Sequence, residues 1–186
     1  MLLIPLFLFG CSSTHYSYYD GARYLENAGK QIEHDKLSRA QQNINKAKKC
    51  HSGYCGNGSI TRHSRINILQ SKVYFKQNKY KEALNELDSI WGCEFGADCR
   101  TRDSLKIENL FQIHGNDLVK KEFQKIINDT LDKKDDFYSD NAIFLNGLKY
   151  TFHFTATPNK YSHLPEMTTF KIIAKDEPFY KLLNLP

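Results

Sequence analysis

Five cysteines carry most of the reactive chemistry in this 186-residue chain. Four form two close pairs, Cys50 with Cys55 and Cys93 with Cys99, each enclosing a glycine-containing segment. Two chemistries suit such a set. Sequence neighbours need little chain movement to meet, which favours disulfides Cys50–Cys55 and Cys93–Cys99 among the three connectivities that four cysteines allow. Four thiolates, with His51 as a substitute ligand, would instead hold zinc. The spacings of four and five intervening residues are near to, but not the same as, those of tight zinc knuckles. The compartment decides, because disulfides persist only where the surroundings are oxidising.

Other reactive patterns are missing from the sequence. The seven histidines are scattered, and no pair has the i, i+4 spacing of a helical metal site beside a glutamate. There is no Walker loop, no G-x-S-x-G segment and no dinucleotide glycine cluster. The expectation is a non-enzymatic protein with no cofactor and no metal. The net charge of +5 comes from 26 basic and 21 acidic residues that are interleaved, with Lys46, Lys48 and Lys49 the densest basic group. That pattern argues against nucleic-acid binding and for a solvated surface mildly attracted to anionic headgroups.

The fifth cysteine closes an uncharged apolar run that begins at Met1. About ten residues are too few to span a bilayer, which takes about 20, but they fit the hydrophobic region of an export signal. Leu8-Phe9-Gly10-Cys11 resembles a bacterial lipobox. The resemblance implies a signal peptide at 1–10, acylation (palmitate) of Cys11, a lipidated tether at 11–20 and a bilayer as partner. Ser12, where aspartate would signal retention, resembles an outer-membrane address, on the periplasmic face. Export in turn favours disulfides over zinc, each contributing about 2 kcal/mol for such short loops.

Helices must position these groups. Ala22, Leu25, Ala28 and Ile32 have helical spacing, with Asp20 a candidate N-cap and His34-Asp35 a turn. Leu37, Ala40, Ile44 and Ala47 form a second apolar face. Ile66, Leu69, Val73 and Tyr74, the turn Gln77-Asn78, and Tyr80, Ala83, Leu84, Leu87 and Ile90 repeat the arrangement. A shift of 43 residues superposes Asp35 on Asn78, Ala40 on Ala83, Ile44 on Leu87, Ala47 on Ile90 and Cys50 on Cys93. Thr61-Arg62-His63-Ser64 is echoed by Thr101-Arg102-Asp103-Ser104, which is read as capping a helix from Leu105 to Ile113. A turn at His114-Gly115-Asn116 and an apolar face at Leu118, Phe123, Ile126, Ile127 and Leu131 complete a degraded third unit.

The stretch Tyr74-Phe75-Lys76-Gln77-Asn78-Lys79-Tyr80-Lys81-Glu82-Ala83-Leu84 is similar to the core of tetratricopeptide repeats. The repeat here is longer than that family's 34 residues or so, no proline closes a unit, and Ala28 and Ser71 stand where the family has glycine. The resemblance implies a mainly α fold, with antiparallel helical hairpins stacked as a short α-solenoid over residues 21–136. Such a solenoid offers a concave surface to a peptide segment, with Asn67, Gln70, Lys72 and Gln77 as candidate exposed contacts. Trp91, at the end of a repeat helix, reads as core packing, with a binding-groove anchor as the alternative. Residues 137–186 read as a cap. Ser139 to Leu148 is taken as a further helix, Tyr150 to Thr155 as a strand, Thr168 to Ala174 as its partner, and Glu177-Pro178 as the opening of a terminal helix. The functional expectation is a membrane-anchored periplasmic lipoprotein that acts as an interaction or assembly scaffold for a secretion or pilus machine. The alternative is an immunity lipoprotein that neutralises a toxin or hydrolase.

Overall fold

The computed structural model describes residues 18–50, 56–131 and 137–156. The leader with Cys11, the loop with His51 and Cys55, the charged stretch 132–136 and the segments expected at 168–174 and from 177 onward lie outside these residues. The described chain is mainly α. Six helices pack as consecutive pairs: α1 (Tyr18–Glu33) with α2 (Leu37–Lys49), α3 (Asn57–Lys76) with α4 (Tyr80–Asp88), and α5 (Cys99–His114) with α6 (Asn116–Leu131). An antiparallel hairpin of β1 (Phe137–Leu145) and β2 (Leu148–Ala156) follows.

The 43-residue shift is a structural repeat. Asp35 and Asn78 hold the same left-handed conformation at the two turns, with φ of 55° and 59°. Asparagine and aspartate are the residues that adopt it most readily after glycine. Ala40, Ala47 and Ala83 are wholly buried, as are Ile44 and Leu87. A small residue at each crossing lets the paired helices approach closely, and the larger apolar residues a turn away fill the remaining space. The third pair departs from this pattern. Gly115 alone, at φ 84°, joins α5 to α6.

Polar side chains tie one unit to the next. Arg62, on the first helix of unit two, donates to the carbonyls of Ala47 and of Cys50 (3.0 Å) at the end of α2. Arg102, on the first helix of unit three, donates to the carbonyl of Ile90 (3.1 Å), just past α4. Ala47 and Ile90 are equivalent under the repeat, so the two arginines make the same contact. The terminal carbonyls of a helix lack intrahelical donors and carry its negative pole, so a cation satisfies both needs.

The echoed Thr-Arg segments therefore lie inside helices rather than capping them. α3 begins at Asn57 and α5 at Cys99, where the Asp98 side chain accepts from the Thr101 N–H at 3.0 Å. Asp20 likewise sits in the first turn of α1 and pairs with Arg23 at 3.0 Å. A carboxylate there still meets the positive pole of the helix.

α3 packs against α1, α2, α4 and α5, so most of its surface from Ser64 to Val73 is covered. This explains why Ser64, Asn67, Gln70 and Ser71 are buried beside Ile66, Ile68, Leu69 and Val73. The segment expected as a helix at 139–148 is instead β1 and the turn. Asn146 and Gly147, with φ of 51° and 81°, form the two-residue reversal favoured in hairpins. Leu145 pairs with Leu148 and Ile143 with Tyr150, and Ile143, Leu145 and Phe152 pack with Ile107, Leu110, Val119 and Phe123 of the third helix pair. The strand expected at 150–155 is present as part of β2, and its partner is β1.

Enlarging the crossing alanines tests this packing. Ala40→Leu and Ala83→Leu should each cost about 1–3 kcal/mol in chemical denaturation, because neither site has room for the extra methylenes.

Candidate functional site

The chain between α4 and α5 forms a braced loop at one end of the second helix pair. Cys93 and Cys99 are joined in a disulfide, with their Cα atoms 5.6 Å apart. The Gly96 carbonyl accepts from Thr61 Oγ1 at 3.0 Å, and the Asp98 N–H donates to Ser64 Oγ at 3.0 Å. Gly92 is left-handed (φ 78°), and a Cβ there would come within 2.9 Å of Ile60. Bond, glycine and two hydroxyls together tie the loop to α3 and α5. Two aromatic side chains stand out from it, Trp91 at 61% exposed and Phe95 at 51%. Trp91 is thus not a core residue. The helix ends before it, at Asp88, and the αL turn at Gly92 redirects the chain away from the packed face.

Beside Trp91 lies a cleft of about 290 Å³, walled by the end of α4, the braced loop, α5 and β2. Two buried cations line it. Arg102 is 8% exposed; Nε donates to Asp103 at 2.7 Å and Nη1 to the Ile90 carbonyl, with Cys93 Sγ 3.5 Å away. Lys106 is 2% exposed; Nζ reaches Asp88 at 2.6 Å, donates to the Thr151 carbonyl and lies 5.0 Å from the centre of the Phe152 ring. A lysine buried to this degree needs such a full set of partners. Lys106 holds β2 against the helices, and Asp88, half exposed, neutralises it at the cleft wall.

The disulfide expected at Cys93–Cys99 is formed, and that pair is not available as zinc thiolates. Cys50 is a buried thiol that donates to the Lys46 carbonyl at 3.3 Å, and its proposed partner Cys55 lies outside the described residues. Burial pushes the Cys50 thiol up, with the Arg62 guanidinium opposing. Among the described residues no group of three or more His, Cys, Asp and Glu side chains is placed to hold a metal ion.

The four expected contact residues do not form one surface. Asn67 is buried, donating to Ser89 Oγ at 2.7 Å. Gln70 is buried in a reciprocal amide pair with Gln41 at 2.7 and 2.8 Å. Both are used to join helices and are not exposed. Lys72 is half-buried on α3, near Glu108 of α5, whose carboxyl burial raises while Lys72 opposes. Gln77 is exposed at the α3–α4 turn. Sequence reasoning missed Arg102, Lys106 and Asp88. The signal for Arg102 was in hand, since its segment repeats that of Arg62.

A second polar cluster joins the end of α5 to the hairpin. The Asn146 amide donates to His114 Nδ1 (3.2 Å), leaving Nε2–H to donate to the Tyr150 hydroxyl at 3.1 Å. Desolvation lowers the His114 pKa and raises that of Tyr150. Comparison with known protein families, curated proteins and solved structures finds no match to this chain.

Two outcomes are expected. Cys93→Ser or Cys99→Ser should lower stability by about 2 kcal/mol, the chain entropy of so short a loop, in denaturant titrations run without reductant. The neutral imidazole of His114 is favoured in the fold, so its contribution is complete above the ordinary value of 6.5 and declines as pH falls below it. His114→Gln should flatten the fall in melting temperature between pH 7 and pH 5.

Proposed function

We propose that this protein is a non-enzymatic interaction module, tethered to the bacterial envelope through an acylated Cys11, that docks a partner protein in the periplasm. The observation that carries the docking reading is the braced loop 89–98. It holds a tryptophan and a phenylalanine in solvent on a backbone pinned by a disulfide, Gly92 and two hydroxyl contacts. Large aromatic side chains fixed before binding lose little entropy on association and dominate interface energies. The stacked helical pairs, similar in sequence to tetratricopeptide repeats, support the same reading as a scaffold that presents this loop.

Lipid attachment rests on the lipobox resemblance of residues 8–11. The Cys93–Cys99 disulfide supports it, since such bonds persist in exported proteins. Tethering would raise the local concentration of the module at the membrane and so strengthen a weak contact. An assembly role in a secretion or pilus machine is the first reading, and neutralising a toxin or hydrolase is the second.

Intact mass of the membrane-fraction protein should show a chain beginning at Cys11 and carrying acyl groups; an unmodified Met1 would overturn the anchoring. Cross-linking from position 95 should capture partners that are lost in Trp91→Ala. Several machine components would support assembly, one tight partner would support neutralisation, and capture unaffected by Trp91→Ala would overturn docking at this loop.

A further inference from the structure

We infer that the cleft beside Trp91 takes an acidic side chain, aspartate or glutamate, from a partner peptide, with a neighbouring apolar residue of that peptide laid against Trp91. This deepens the docking reading and rests on it. The acceptor is Arg102. Its side chain is 10% exposed, and its bonds to Asp103, the Ile90 carbonyl and Cys93 use Nε and Nη1. Nη2 has no hydrogen-bond partner among the described residues. Arg62, the equivalent residue one unit earlier, spends its own Nη2 on the carbonyls of Ala47 and Cys50. The echoed segments thus supply a comparison: Arg62 Nη2 is bonded to backbone carbonyls, whereas Arg102 Nη2 is kept back where a cleft has opened.

A guanidinium donor that reaches the cleft favours a planar, charged oxygen acceptor over a neutral one, because a full negative charge adds Coulomb attraction to the hydrogen bond. Phosphate is less suited. The cleft's two cations, Arg102 and Lys106, are already offset by Asp103 and Asp88, so there is no surplus positive charge for a doubly charged group. The gain therefore comes from one directed hydrogen bond in the cleft and from contact with the exposed indole. Asp88 works against it, since it lines the same cleft and repels an incoming carboxylate. The same opposition adds specificity, because a peptide with two adjacent acids would suffer it twice.

Trp91 is the single tryptophan of the chain, so its emission reports on the cleft directly. The full chain is titrated with the acetylated, amidated tripeptides Leu-Glu-Leu and Leu-Gln-Leu and with inorganic phosphate. A saturable change with the glutamate peptide, at least tenfold weaker with its glutamine counterpart and with phosphate, is expected. Asp88→Asn, which keeps an acceptor for Lys106, should tighten the glutamate peptide several-fold. Arg102→Lys should weaken it tenfold with the melting temperature followed in parallel. If that variant does not fold, Asp88→Asn alone decides. Equal binding of the two peptides, tighter binding of phosphate, no saturable change, or no tightening in Asp88→Asn would each overturn the inference. Should it fall while Trp91→Ala still abolishes partner capture, docking at the loop stands and only the carboxylate assignment is lost.

Discussion

Helix ends are the weak points of any helical array, because the last carbonyls of each helix have no donor within it. Here one arginine per junction answers that need from the following unit. Arg62 reaches the end of α2, and Arg102 reaches the chain two residues past the end of α4. Each contact joins two sequence-distant segments, so the terminus of one helical pair is completed only when the next pair is in place. Apolar packing between units is non-directional and tolerates sliding. A guanidinium bonded to a particular carbonyl does not, and it sets how far along its axis each new pair docks. The disulfide, the braced loop and the cleft all depend on that placement at the second junction.

The two junctions have diverged from this shared plan. At the first, the cysteine following the helix is a buried thiol bonded to its own helix. At the second, its equivalent is cross-linked to the start of α5, three residues before the arginine. Cross-linking there stiffens a loop that carries exposed aromatic residues. The central helices show the cost of such a layout. With neighbours on several sides, α3 and α5 bury polar residues, and they do so by pairing them: Gln70 with Gln41, Asn67 with Ser89, Arg102 with Asp103.

The repeat was readable because its signals are local. Asp35 and Asn78, Ala40 and Ala83, and Ile44 and Leu87 declare turn, crossing and core by residue type and spacing alone. Burial of polar groups was not readable. Asn67 and Gln70 resemble surface residues until their partners on other helices are known, and Trp91 resembles core until the chain is seen to turn at Gly92. The hairpin is a different lesson. Ala142-Ile143-Phe144-Leu145 is an unbroken apolar run that suits a helix or a strand equally, and the deciding signal was the adjoining Asn146-Gly147. Weighting that dipeptide above the run gives β1, the turn and β2 together.

The hairpin lies over α5 and α6, where a fourth helical pair would otherwise stack. With Ile143, Leu145 and Phe152 filling that side, the array has a closed end and, at α1, an end without such a cover among the described residues. The molecule therefore has a polarity that its near-repetitive interior does not.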